Sequence, residues 1–107
     1  MFYNSGMKVA GREWNPDREV LLADGAWGTE FLKLGLAFGD PPEEWNLSQS
    51  NKVLQIAQNY VNAGSNLVLT NTFGANRYQL ERHGLADKVR EINRRGAEIS
   101  VDAAGGR

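Results

Sequence analysis

The sequence holds no cysteine, a single histidine and three prolines in 107 residues. Without thiols it can form neither disulfides nor thiolate metal sites, and His83 alone cannot bind a metal unaided. A reducing cytoplasm is the compartment this composition predicts. No apolar run approaches the ~18 residues that a membrane span needs, and Met1 to Gly11 lack the apolar core of a secretory leader. Neither sign of charge dominates. Twelve Lys and Arg against 13 Asp and Glu leave a net charge of −1, which makes no field to gather nucleic-acid phosphates or an anionic bilayer. No nucleic acid and no membrane are therefore expected as partners. Phosphate-loop signals are missing as well: Gly25-Ala26-Trp27-Gly28 has no third spaced glycine, and no Walker loop occurs.

Two stretches stand out against these absences. Leu21 to Thr29 and Leu67 to Gly74 each run from apolar residues into a cluster of small and polar ones. In parallel α/β proteins ligands bind beyond the carboxyl ends of strands, so two such junctions joined by one helix point to a shared pocket. The apolar run Val20–Ala23 reads as a buried parallel strand. Gly25 and Gly28 mark a tight turn, Thr29 caps a short helix over Glu30 to Leu34, and Gly35 ends it. A loop from Ala37 to Leu47 follows, with Ser48 as the next N-cap. Val53, Ile56, Ala57, Tyr60 and Val61 share one helical face, and Ala63-Gly64 stops that helix. Asn66 to Leu69 reads as a second buried strand, so residues 20 to 70 form a βαβ unit.

A short helix over Asn76 to His83, closed by Gly84, precedes a longer one from Ala86 to about Ala103. On the latter Val89, Ile92, Ile99 and Ala103 share a face, and Glu91/Arg95 and Arg94/Glu98 are spaced as i,i+4 ion pairs. Residues 1–18 carry no period and read as a loose extension. Residues 19–107 read as an α/β unit of about two βα repeats and a further helix, cut before its third strand; a two-stranded parallel sheet is marginal by itself.

Asp24 either faces the pocket or caps the turn after its strand. Gly25 follows it, a position where a neighbouring backbone N–H can reach a ligand. Thr70, Asn71 and Thr72 offer two hydroxyls and an amide for a polar small molecule, or bond locally to their own loop. Phe73 supplies an apolar wall or anchors the loop; Trp27 and Trp45 read first as packing residues. His83, just before Gly84, suits a helix C-terminus better than a ligand site.

In order along the chain, Leu22-Ala23-Asp24-Gly25-Ala26-Trp27-Gly28-Thr29-Glu30, Pro42-Glu43-Glu44-Trp45-Asn46-Leu47, Ala63-Gly64-Ser65-Asn66, Leu69 through Arg77 and Val89-Arg90-Glu91-Ile92-Asn93 resemble the homocysteine S-methyltransferases. The resemblance spans about residues 18 to 107. It implies the N-terminal part of a (β/α)8 TIM barrel, and a complete enzyme that makes methionine from homocysteine and a methyl donor. Zinc, held by three cysteines in the complete family member, would lower the thiol pKa so that sulfur attacks an activated methyl group. Those cysteines lie outside this chain, which alone is expected to be inactive. The matching positions for the amino-acid end of homocysteine are Asp24, Gly25, Ala26, Thr70, Asn71, Thr72 and Phe73, with no catalytic or metal residue in the chain. Asn71 and Gly74 depart from the aromatic loop of betaine-using members, and Asn71 resembles the cobalamin-dependent type, so cobalamin is a candidate methyl carrier and the donor stays open. Remaining barrel strands in the same polypeptide, or an oligomer, would complete the fold. Two other readings are a non-catalytic module that assembles with another chain, and a different barrel enzyme acting on a small carboxylate or phosphate.

Overall fold

The computed structural model describes residues 20–105 together with Lys8, Val9, Arg12, Glu13 and Asp17. Strands β1 (Lys8–Val9) and β2 (Arg12–Glu13) pair antiparallel, Lys8 opposite Glu13 and Val9 opposite Arg12. The loose extension expected over 1–18 falls, apart from this ribbon and Asp17, outside the described residues. The rest is built on helices α1 (Gly28–Lys33), α2 (Trp45–Ser48), α3 (Ser50–Asn62), α4 (Arg77–Glu81) and α5 (Val89–Ala103). One-turn 3-10 segments, Pro42–Glu44 and Ala86–Lys88, lead into α2 and α5.

Helix α3 forms where apolar periodicity foretold it and turns Val53, Ile56 and Ala57 inward. Its end follows from Gly64, whose φ of +110° is open to a residue without Cβ. The Gly64 N–H donates to the Val61 carbonyl at 3.1 Å and the Ser65 N–H to the Tyr60 carbonyl at 3.0 Å, which takes up two orphan carbonyls of the last turn. Helix α5 lies against α3 and buries Ile92, Gly96, Ile99, Ser100 and Ala103. The main core joins Phe31 from α1, Val53 and Ile56 from α3, and Ile99 from α5. The Phe31 ring meets Trp45 edge-on at 5.6 Å and Trp27 at 5.9 Å, geometries that suit aromatic quadrupoles. Lys52 stretches over Trp45, its Nζ 5.0 Å from the ring centroid and donating to the Leu34 carbonyl at 3.1 Å. A smaller cluster of Ala75, Leu80 and Ile92 lies under α4.

Several expectations are corrected here. The N-terminal part of a (β/α)8 barrel, with two buried parallel strands, is not what forms: among the described residues the would-be strands share one parallel bridge, Ala23 with Leu67. The reason is visible in the hydrogen bonds. The Leu22 carbonyl takes both the Asn66 N–H (2.7 Å) and the Leu67 N–H (3.1 Å), the Asn66 side chain takes the Leu22 N–H (3.0 Å), and the Asp24 carboxylate takes the Leu69 N–H (3.0 Å). Side chains thus occupy groups that a ladder would use, and among the described residues no third strand flanks the pair to extend it. Nor are the segments buried: Val20 is 90% exposed, Leu22 63% and Leu69 65%.

Helix starts also moved. Thr29 lies inside α1, whose N-cap is Trp27, and Ser48 ends α2, its hydroxyl donating to Glu44 Oε1 at 2.8 Å. The expected loop of 37–47 is in part the 3-10 turn and α2. On α5, among the described residues, the ion pair that forms is Arg95 with Glu98, at 3.8 Å and one residue closer in sequence than the expected pairs.

Phe31 is the core's largest fully buried side chain. Phe31→Ala should remove about 3–5 kcal/mol, much of a stability of roughly 5–15 kcal/mol. Urea unfolding followed by tryptophan fluorescence should show a midpoint falling toward zero denaturant.

Candidate functional site

The first strand end is organised by Asp24. Its N–H donates to the Leu67 carbonyl at 2.9 Å, and its Oδ2 accepts from Trp27 Nε1 at 2.6 Å and from the Leu69 N–H at 3.0 Å. One carboxylate therefore ties the turn into α1 to the chain leading into the second loop. Its Oδ1 has no hydrogen bond among the described residues. Gly25 passes under Tyr60, where a Cβ would sit 3.1 Å from the phenol oxygen. That phenol is pinned in place, donating to the Ala26 carbonyl at 2.6 Å. The N–H groups of Gly25 and Ala26 are likewise taken up by no bond among the described residues.

The second strand end, Thr70 to Phe73, presents its hydroxyls to each other: Thr70 Oγ1 and Thr72 Oγ1 lie 2.6 Å apart. Phe73 is fully exposed, so the anchoring role weighed for it is not the one it takes here. Asn71 points inward and is buried; its amide donates to the Pro42 carbonyl at 2.9 Å and to Asn46 Oδ1 at 2.8 Å. The structure thus ties Asp24 to Leu69 at the start of the 69–73 segment, sets Gly25 and Ala26 against Tyr60 of α3, and buries Asn71 while Thr70 and Phe73 are exposed.

A shell of side chains that the sequence reading gave no role holds this segment. Ser100 donates to the Leu69 carbonyl at 2.9 Å, Asn46 to the Asn71 carbonyl at 2.8 Å, and Asn93 to the Ala75 carbonyl at 2.7 Å. Glu43, itself buried, accepts the Gly74 N–H at 3.0 Å. The sequence carried one signal for part of this. Gly96 and Ser100 interrupt the apolar stripe of α5 at one-turn spacing, where a loop can approach the helix closely.

An open groove of about 510 Å³ adjoins the loop at Phe73 and Gly74 and runs to Pro42, Leu80 and His83. Its charged lining consists of Asp40 and Glu43. His83 lies at this rim, remote in role from the Asp24 end. As for zinc, the chain has no cysteine, and the described residues bring together no group of three or more His, Asp or Glu side chains able to hold a metal. The residues present do not fit a zinc centre. Among the described residues no helix is long and apolar enough to cross a membrane.

A family profile described as homocysteine S-methyltransferase matches residues 21–107. A methionine synthase of Mycobacterium leprae is 34% identical over 89 residues, covering 78% of this chain and 7% of that protein. A methionine synthase of Mycobacterium tuberculosis is 32% identical over 89 residues, covering 78% of this chain and 8% of its own length. The chain thus spans less than a tenth of the length of these relatives.

Gly96 offers a test of how tightly the shell grips the loop. In an exposed helix interior, Ala in place of Gly gains roughly 0.8–1 kcal/mol. Here an added Cβ would lie 2.8 Å from both Asn46 Nδ2 and Thr72 Cγ2. Gly96→Ala should therefore destabilise the chain by about 1–3 kcal/mol, as read from the denaturation midpoint. A gain in stability would show the contact to be loose.

Proposed function

As the chain belongs to the homocysteine S-methyltransferase family, we propose that it carries the part of a methyltransferase that holds the amino-acid end of homocysteine. The observation that carries this reading is the Asp24 carboxylate, bonded through Oδ2 to the Trp27 indole in the turn before α1 and to the Leu69 N–H, while Oδ1 has no bond among the described residues. A carboxylate so placed suits the α-ammonium group of homocysteine. The N–H groups of Gly25 and Ala26 suit its α-carboxylate, with the paired hydroxyls of Thr70 and Thr72 as further donors. Phe73 offers an apolar surface for the methylene chain. Asn71 contributes from behind, by fixing the loop rather than by touching substrate.

In the reaction proposed for the complete enzyme, the homocysteine thiolate attacks the methyl carbon of the donor. A sulfur–carbon bond forms, the donor–methyl bond breaks, its electron pair leaves with the donor, and methionine results. The work assigned to this chain is orientation: holding the amino-acid end sets where the sulfur lies, which converts an encounter into an aligned displacement. Activation of the sulfur by zinc, and delivery of the methyl group from cobalamin or another donor, are assigned to protein outside these residues.

The exposed Val20, Leu22, Leu69 and Phe73 favour a second reading, a non-catalytic module that assembles on another polypeptide. One titration separates the two. Adding L-homocysteine to the 15N-labelled chain should shift the amide signals of Gly25, Ala26 and Thr70 to Phe73, and Asp24→Asn should weaken the affinity roughly ten- to a hundredfold, since a hydrogen bond to a charged group is worth roughly 1.5–3 kcal/mol. No methionine should form from the chain alone. An unresponsive spectrum, with sedimentation as a dimer or larger species, would favour the second reading.

A further inference from the structure

We propose that Asn46 is a positioning residue for the homocysteine-holding loop, an assignment that rests on the reading of Thr70 to Phe73 given above. Its side chain is wholly buried, 0% exposed, and so lies out of a ligand's direct reach. One amide nitrogen serves two carbonyls: Nδ2 donates to the Asn71 carbonyl at 2.8 Å and to the Ile92 carbonyl on α5 at 3.0 Å. Its Oδ1 in turn accepts from Asn71 Nδ2 at 2.8 Å, and that same nitrogen reaches the Pro42 carbonyl at 2.9 Å. Asn46 and Asn71 thereby form a reciprocal pair, and through it α2, α5 and the second loop share one geometry.

Only a primary amide supplies two donors and an acceptor at this reach. Aspartate has the shape and lacks the donors; leucine has the volume and lacks both. Glutamine is a methylene too long for a slot closed by Gly96, whose missing Cβ is what leaves room for Nδ2. The backbone so held is the one that sends Thr70 and Phe73 outward while Asn71 is drawn in. Burying a hydrogen-bonded amide pair in place of apolar side chains brings no clear gain in stability; what these four bonds set is which backbone carbonyls lie together. A loop already fixed in its binding arrangement loses less entropy when ligand arrives.

The test compares the 15N-labelled full chain with Asn46→Asp. At neutral pH the introduced carboxylate faces the carbonyl oxygens of Asn71 and Ile92, with Glu43 the other acid packed at this loop. The amides of residues 70–74 should lose their order while those of α3 stay protected, and homocysteine affinity should fall about tenfold or more. Both effects should recede as the pH is lowered far enough to protonate the new carboxyl, whose hydroxyl again donates to one of the carbonyls. The wild-type chain, carrying Glu43 and every other acid, should show no such recovery. Unchanged loop order in a folded Asn46→Asp chain, or disorder that ignores pH, overturns the proposal. Loop order is read without ligand, so a wild-type chain that fails to bind homocysteine defeats the proposed function and leaves this inference still decided. Should the variant unfold, wild-type hydrogen exchange decides instead. The Asn46 side-chain amide and the Thr72 N–H should exchange at matching rates, slower than exposed amides and faster than the α3 core; exchange at unrelated rates overturns it.

Discussion

Three segments distant in sequence meet at one buried amide. Asn46 bonds to the carbonyls of Asn71 and Ile92, and Asn71 bonds back to it and to Pro42. Without a sheet to align the second loop, something else must say where it goes, and in this chain side-chain amides and carboxylates do so. Ser100, Asn93 and Glu43 extend the same arrangement at Leu69, Ala75 and Gly74. The loop's backbone is satisfied by side chains of its neighbours more than by its own secondary structure. That is an unusual division of labour, since most protein hydrogen bonds join backbone to backbone.

The apolar core and this polar seam meet on α5. Ile99 faces Phe31, Val53 and Ile56, and Ile92 faces Ala75 and Leu80. Between them, Gly96 and Ser100 open a lane in which the loop lies against the helix. A single helical face therefore supplies both the hydrophobic contact that anchors the helices and the polar contacts that shape the candidate site. The carboxylate of Asp24 is the other fixed point, joining the turn before α1 to Leu69. These two anchors tie Leu69 to the turn before α1 and Asn71 to α2.

What was legible in the sequence follows from what acts locally. The face of α3 and the stops at Gly35, Gly64 and Gly84 were readable, because helical periodicity and a left-handed cap depend on neighbours a few residues away. The apolar runs Val20–Ala23 and Asn66–Leu69 do not form the buried strands they suggest, because an apolar run states a preference for burial and cannot supply the flanking strands a parallel sheet requires. Asp24 was singled out on its place before Gly25, and the structure adds that its carboxylate bonds to Leu69 and Trp27. Asn71 was singled out as a donor beside Thr70 and Thr72; nothing in its local sequence shows that Asn46, 25 residues earlier, would claim its amide. The roles of Asn46 and Glu43 were illegible for the same reason, since a polar side chain's partner is set by tertiary approach.

The stretch from Ser65 to Asn76 contains no charged residue, and includes Leu67-Val68-Leu69 and Phe73. Released as an extended strand, such a window is suited to stacking on copies of itself into cross-β fibrils. The shell around the loop acts here as a guard. The carbonyls of Leu69, Asn71 and Ala75 and the N–H groups of Leu69 and Gly74 are engaged by side chains, which withholds them from any passing molecule. The contacts that shape the candidate site also keep the backbone of this uncharged segment occupied within its own fold.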